Sequence, residues 1–381
     1  MNFPTTSHSQ LLAKSIVEFA RNELNEEVMD HDTKAVFPRE KWDKCAKMDL
    51  FTLQCPDQYG GSKEDLGTTV AALEALSYGC KDSGLTHAIV TQLCCMVQLV
   101  LFGDEEQKRR FLPELSIGRK IAAQAITEPD AGSDVMSMAT EAIFTGDGYR
   151  LNGSKTFISN GPVADMVTVF AVTDKAKGKF GGLSCFIVES DLPGFAKGTP
   201  LDKMGLRTMH NGELFFTNCE VGKSDLLGRE GQGMMIFSEV IEWERAFMAA
   251  VHLGTMRRIL EQCARYAKRR KQFGSPIGKY QAISHKIADI KVNLELGRTM
   301  LQKAAWLKDQ GKRATLETSI CKLFASESLK SACMEAVQIH GGYGFMKEYE
   351  IERDFRDSIA ATIYSGTSEM QRNIIASMAG I

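Results

Sequence analysis

Phe237–Phe273 reads FSEVIEWERAFMAAVHLGTMRRILEQCARYAKRRKQF, and the fold follows from how this stretch is read. It holds no proline and a single glycine, Gly254, so nothing in it interrupts a long helix. Val240, Phe247, Val251, Ile259 and Leu260 recur at helical spacing and share one apolar stripe. Glu244 lies four residues after Val240 and three before Phe247, which puts it on that stripe. A carboxylate there is either paired with a cation, most simply Arg245 or Arg258, or keeps its proton to higher pH because burial disfavours the charged form. The second state is how a protein prepares a general base that works near neutral pH. Helix geometry alone leaves both readings open.

Outward from this stretch, the chain divides by pattern. Residues 1–120 carry helical runs at Ser9–Glu27, Pro38–Met48, Thr68–Tyr78, Gly84–Phe102 and Glu105–Leu115, with turn residues at Gln54–Gly61. From Ile121 to Leu227 the pattern changes to short β-branched or alternating runs (AAQAIT, YRLNG, KTFIS, DMVTVFAVT, LSCFIVE, GELFFTNCEV) separated by Gly, Asn, Asp and Pro. Helical periodicity returns at Gly233–Arg269, Ser284–Asp309, Leu316–His340 and Ser368–Ala379. The expectation is an α+β protein of three units: an N-terminal helical domain over 1–120, an antiparallel β-barrel over 121–230 and a four-helix bundle over 231–381.

Composition narrows the function classes. The 381 residues exceed one core's worth. A hydrophobic content of 44%, a charged content of 25% and a net charge of −2 describe a globular protein without the cationic excess that nucleic acid requires. The opening MNFPTTSHSQLL lacks a cationic stretch followed by an apolar run, so no leader is expected. No run approaches 18 uninterrupted apolar residues, so no membrane span is expected either. Ten cysteines, with Cys94 and Cys95 adjacent and no CxxC pair, suit buried thiols in a reducing compartment. A cytoplasmic protein without a metal site is the expectation.

Five short motifs carry the chemistry. Thr127-Glu128-Pro129-Asp130-Ala131-Gly132-Ser133-Asp134 follows the first strand, with small residues and the hydroxyls of Thr127 and Ser133 suited to a polar ring edge or a diphosphate. The others are Leu151–Lys155 with Phe157–Gly161, Arg270-Lys271-Gln272-Phe273-Gly274 with Gln281, Gln338-Ile339-His340-Gly341-Gly342, and Gly366-Thr367-Ser368-Glu369. Each has a bland reading: Arg270 also fits a solvated basic run, and Gly341–Gly342 an ordinary helix stop. In this order, however, the set resembles the acyl-CoA dehydrogenase superfamily over nearly the whole chain.

That resemblance implies FAD, with Phe157 and Ser159 against its ring system and Thr127 and Ser133 beside them. It implies that Arg270, Phe273 and Gln281, with Gln338 and Gly342, reach an FAD bound mainly by a neighbouring subunit, and that Thr367 and Glu369 lie near the flavin. Family members remove a proton and a hydride from adjacent atoms of an acyl thioester. Many carry the basic glutamate just before the terminal Gly-Thr, where this chain has Tyr364-Ser365-Gly366-Thr367. A smaller group carries it in a Glu-Arg pair on the helix opening the C-terminal domain, which here is Glu244-Arg245. Glu244 is therefore the expected base. Glu242 competes, but two positions away on a helix it points about 160° elsewhere.

Trp243-Glu244-Arg245-Ala246, Gly79–Leu85, Gln281–His285 and Asp357-Ser358-Ile359 through Ser368 resemble a branch acting on prolyl groups tethered to a carrier protein. The implied substrate is a prolyl thioester on a phosphopantetheine arm, oxidised to a pyrroline or a pyrrole, with Trp243, Arg245 and Ser365 on the substrate side. Helix packing is the plainer role for Trp243. The alternatives are a short- or branched-chain acyl-CoA dehydrogenase, and a flavin-binding interaction protein of this fold without dehydrogenase activity. Family members imply a homotetramer, a dimer of dimers, and either an electron-transfer flavoprotein or oxygen as the electron acceptor.

Overall fold

Residues 6–178 and 181–381 are described by a computed structural model. Residues 1–5, part of the stretch read as lacking a leader, lie outside the described residues. The N-terminal elements are α1 (Ser7–Glu23), α2 (Val28–Lys34), α3 (Arg39–Lys47), α4 (Leu66–Gly79), α5 (Ser83–Phe102) and α6 (Glu105–Ser116). Polar side chains cap the starts of α4, α5 and α6: Asp65 accepts from Thr68 N at 2.6 Å, Asp82 from Leu85 N at 3.1 Å, and Asp104 with Gln107 forms a reciprocal capping box. By length and composition α5 is apolar enough to cross a membrane, yet most of it is buried inside the protein. Its buried apolar residues, Leu85 through Leu99, belong to the main hydrophobic core.

The strands are β1 (Ala122–Ala125), β2 (Glu141–Phe144), β3 (Gly148–Ser159), β4 (Met166–Val172), β5 (Leu183–Glu189), β6 (Phe195–Lys197), β7 (Asn211–Gly222) and β8 (Leu226–Leu227). They pair in the order β6-β7-β3-β2-β4-β5-β8, with β1 also on β4. Among the described residues the expected antiparallel barrel is not closed. β1 and β2 both run parallel to β4, and β2 meets β4 through the single pair Glu141–Val172. The outermost strands, β6 and β8, span only three and two residues and do not join the ends. The sheet instead folds over a small core in which Leu151, Leu214 and Phe216 meet Val167, Val169, Phe186 and Val188.

β4 and β5 are buried along nearly their whole length, and their alternation explains how the sheet docks. Val167 and Val169 face the sheet's own core, while Met166 and Phe170 face the helices. The same strand thus contributes to two cores, and each of these large side chains is worth about 1.5–3 kcal/mol of burial.

The remaining elements are α7 (Gly233–Arg269), the short strands β9 (Lys271–Gln272) and β10 (Ser275–Pro276), α8 (Gln281–Asp309), α9 (Thr315–His340), α10 (Ile351–Ala360) and α11 (Ser368–Met378). The C-terminal region therefore holds five helices where the sequence led us to expect four. α10 carries buried charge (Arg353, Asp354, Asp357), which hides its apolar periodicity. α7 packs directly on α4. At Gly254 an added Cβ would stand 2.3 Å from Glu74 O, so only glycine permits the approach. Close by, the Ser77 hydroxyl donates to Val251 O at 2.8 Å.

Candidate active site

Glu244 sits near the start of α7 and is only partly buried, so part of its surface stays reachable. Its Oε1 accepts a hydrogen bond from the Ser365 hydroxyl. Burial raises its proton affinity above that of an ordinary glutamate; the Ser365 hydrogen bond and the charges of Arg245 and Lys322 pull it back only in part. Ser365 lies in the turn joining α10 to α11, with φ of 57°, a left-handed conformation that a serine adopts only when its surroundings impose it. Gly366 follows at φ 84°. Gln371 Nε2 fixes this turn by donating to the carbonyls of Ser365 at 3.1 Å and Gly366 at 3.0 Å. Lys322 Nζ adds a 2.7 Å bond to Gly366 O from inside α9. Lys322 is fully buried, and burial pushes its ammonium down to about 8.

Neither expected cation neutralises Glu244 by a direct ion pair. Arg258 is committed to Asp354 through bonds of 2.9 and 3.1 Å. Arg245 is buried and donates to Ser319 Oγ at 3.2 Å. The competitor Glu242 is fully committed: it accepts from Lys308 Nζ at 3.1 Å, Ala314 N at 3.3 Å and the Thr315 hydroxyl. Trp243 packs edge-on to Phe247 at 6.1 Å with the Lys308 ammonium 5.5 Å from its ring centroid, and its indole N–H is buried without a partner among the described residues.

On the β side, Glu128 and Ala131 exchange two backbone bonds of 3.1 Å, and Thr127 O accepts from Thr156 N at 2.9 Å. Glu128 itself is a buried strut, bonded to the fully buried Lys155 at 2.8 Å and to Thr140 N at 2.9 Å. That leaves Ser133 and its neighbours exposed. Phe157 stands 65% exposed at a left-handed φ of 58°. Asn211 Nδ2 donates to Ser159 Oγ at 3.2 Å, while Asn211 Oδ1 is buried without a donor among the described residues. A bare aromatic face, a hydroxyl and an orphaned acceptor fit a flat heteroaromatic ring with N–H groups, as isoalloxazine has.

A third group surrounds an open cleft of about 610 Å³ lined by Arg270, Phe273, Tyr280, Ile283, His340 and Tyr343. Gly342 also lines it, and there a side chain would meet only open space. Phe273 and Gly274 form the two-residue turn of the β9–β10 hairpin, both at positive φ (50° and 78°). Phe273 is 95% exposed at this tip, and the Arg270 guanidinium lies 5.7 Å from the Tyr343 ring centroid. Gln281 and Gln338 are exposed on α8 and α9. Thr367 caps α11 by accepting from Met370 N at 3.2 Å, with Glu369 exposed beside it.

The structure thus joins Glu244, Arg245 and Ser365 in one cluster, Phe157 and Ser159 in a second, and Arg270, Phe273 and Gly342 in a third. Lys322 was missed at the sequence level because a lysine inside a long helix carries no local sign that it is buried.

Three acyl-CoA dehydrogenase domains match the chain in order: the N-terminal domain over residues 6–119, the middle domain over 123–219 and the C-terminal domain over 231–379. The L-prolyl-[peptidyl-carrier protein] dehydrogenase of Pseudomonas fluorescens is 42% identical over 342 residues, 89% of this chain and 90% of that protein. A short-chain-specific acyl-CoA dehydrogenase of Clostridium acetobutylicum is 36% identical over 376 residues, 99% of each. Among solved structures, the prolyl acyl carrier protein oxidase AnaB superposes with a TM-score of 0.97 at 43% identity, covering 99% of this chain and 100% of that one. PigA with FAD and proline superposes with a TM-score of 0.97 at 35% identity, covering 100% and 99%. The chain belongs to the acyl-CoA dehydrogenase family.

Proposed function

We propose that this FAD-dependent oxidoreductase oxidises a prolyl group held as a thioester on an acyl or peptidyl carrier protein. The product is a pyrroline carboxyl thioester, or a pyrrole after a second round. The observation that carries the chemistry is the Glu244 carboxyl: partly accessible, free of a direct ion pair among the described residues, raised in proton affinity by burial and met by Ser365. The thioester carbonyl acidifies the proline α C–H, and Glu244 takes that proton. FAD, when bound, supplies the acceptor for the hydride.

Phe157 and Ser159 would hold the flavin ring, with Thr127 and Ser133 at its edge. Arg270, Phe273 and Gln281, with Gln338 and Gly342, would reach the cofactor of a neighbouring subunit, and Thr367 and Glu369 would lie near the flavin. Trp243 and Arg245 would form the substrate side of the base. On this reading the protein is a cytoplasmic homotetramer whose units divide at 1–120, 121–230 and 231–381. It passes electrons to an electron-transfer flavoprotein or to oxygen.

The prolyl substrate is supported by the named activities of the 42% relative and the 43% structural neighbour. The second reading, a short- or branched-chain acyl-CoA dehydrogenase, is supported by the 36% relative aligned over 99% of both chains. Anaerobic bleaching of the bound flavin separates them. Under the first reading a prolyl-carrier-protein thioester bleaches the flavin and short acyl-CoAs do not; the reverse result establishes the second.

A further inference from the structure

Two buried histidines and a partly buried tyrosine, none of them used by the proposed chemistry, lie immediately behind Ser365. Tyr364 packs between His87 of α5 and His252 of α7, with its hydroxyl 2.5 Å from His87 Nε2 and 2.7 Å from His252 Nε2. The hydrogens can be assigned from the partners. His87 Nδ1 lies 2.7 Å from Ser83 O, a carbonyl that only accepts, so Nδ1 carries the hydrogen. Burial pushes His87 down to about 4, so its ring is neutral and Nε2 is a bare acceptor. Tyr364 therefore donates to His87. Its oxygen then accepts from His252 Nε2, which must bear that ring's hydrogen. Burial also holds His252 well below its usual value, so its Nδ1 is left bare. Among the described residues His252 Nδ1 is indeed buried with no partner. The chain of bonds runs in one direction, from His252 through Tyr364 to His87 and the α5 backbone.

The next residue in sequence is Ser365, held left-handed and bonded to Glu244. We propose that His87 and His252 are positioning residues: by clamping the Tyr364 hydroxyl between α5 and α7 they fix the turn that aims the Ser365 hydroxyl at the Glu244 carboxyl. The assignment rests on Glu244 being the base. Arg258 and Asp354 lie outside this chain of bonds because they are committed to each other. The charges facing Glu244 are Arg245 on α7 and Lys322 on α9; Cys94 and Cys95 of α5 and Tyr364 are the titratable neighbours from the other packed elements.

The clamp makes a prediction that simple packing does not. Donation from Ser365 stabilises the Glu244 carboxylate, so any change that loosens the turn must raise the pH at which Glu244 ionises. The test is an infrared difference titration of the FAD-loaded protein without substrate, with the Glu244 carboxyl band identified by its loss in Glu244→Gln. Ser365→Ala and Tyr364→Phe should each raise the midpoint by up to about one unit, a tenfold change in the ionised fraction below it. The double variant should show no further shift, because both act through one hydrogen bond. His252→Leu should shift the midpoint in the same way. His252→Gln, whose amide can donate where Nε2 does, should return it toward wild type. The His252 pair decides the matter even if Tyr364→Phe does not fold. A wild-type midpoint in Tyr364→Phe or His252→Leu, or in Ser365→Ala itself, overturns the inference. The readout does not depend on which thioester is oxidised. If Glu244→Gln kept its rate of flavin reduction, the base assignment would fall while the measured coupling stood.

Discussion

Arg258 holds Asp354 through two parallel hydrogen bonds of 2.9 and 3.1 Å, and Glu244, one of whose two possible cations is taken up by this pair, has no direct ion pair among the described residues. Asp354 is buried and Arg258 largely so, so the carboxylate would be costly to leave alone. The apolar stripe of α7 thus carries two polar residues with opposite fates. Arg258 is neutralised far from the reaction, and Glu244 is left to titrate.

The titration of Glu244 sets a pH dependence. Its folded-state proton affinity is raised, so the carboxyl stays protonated above the ordinary glutamate value of 4.5 and cannot accept a proton there. The rate of flavin reduction should therefore rise with pH through a midpoint above that value. Stability runs the other way. What the protonated side chain contributes is fully present below the ordinary value and is lost as pH rises through the raised one. Glu244→Gln should accordingly be at least as stable as wild type at pH near 7, as read by thermal melting; a marked loss would contradict this.

Asp357 offers a second linkage, at the junction of the three regions. Its Oδ1 accepts from Leu206 N at 2.6 Å, and burial pushes it up to about 7 despite the nearby Arg353. The protonated form is favoured in the fold, so its stabilisation is full below about 4 and fades as pH rises through about 7. Asp357→Asn keeps the acceptor and cannot ionise. The stability difference between wild type and this variant should move in favour of the variant across that window. A difference that stays flat would rule out the linkage.

Lys155 and Glu128 hold the loop that presents Ser133, and both are buried. Lys155→Met removes one partner and strands the other, so unfolding free energy should fall by about 3–5 kcal/mol. Denaturation with urea measures it. A loss under about 1 kcal/mol would mean that water or a nearby group takes over from the ammonium.

Arg270 and the hairpin-tip Phe273 are exposed in the single chain, yet the Phe273 backbone is left-handed and its ring 95% exposed. A large ring at such a position is explained if a neighbouring subunit covers it. Arg270→Ala and Phe273→Ala should weaken FAD retention and subunit association together, measured by flavin absorbance and sedimentation. If Arg270→Ala changes neither, the inter-subunit role is wrong.

How far the sequence could be read varies with the element. α7 was legible to its ends, Gly233 and Arg269, because an unbroken periodic run leaves little else to form. β3 was not: YRLNG and KTFIS read as two separate runs, but the chain passes through both as one strand with an irregular register, Gly153 at φ 147° lying against Thr140. The parallel pairing of β1 and β2 with β4 is a matter of topology, to which local alternation is blind. Within the site, Glu244 and Ser365 were legible because their motif positions carry them. His87, His252 and Lys322 were not, because each lies in a different helix and only the fold brings them to the Tyr364–Gly366 turn.

The central claim is that Glu244 removes the substrate proton, and stopped-flow flavin reduction by a prolyl thioester under anaerobic conditions tests it most directly. Glu244→Gln keeps the volume and one acceptor but cannot take a proton, and a general base contributes about 10²–10⁴-fold. The predicted result is a fall of at least about a thousandfold in reduction rate, with FAD still bound and the fold intact. Moving the carboxylate across to its hydrogen-bond partner, in Glu244→Gly with Ser365→Glu, should restore part of that rate. Near-normal reduction in Glu244→Gln would contradict the account outright, and Glu242 could not easily replace it, being already tied to Lys308, Ala314 and Thr315.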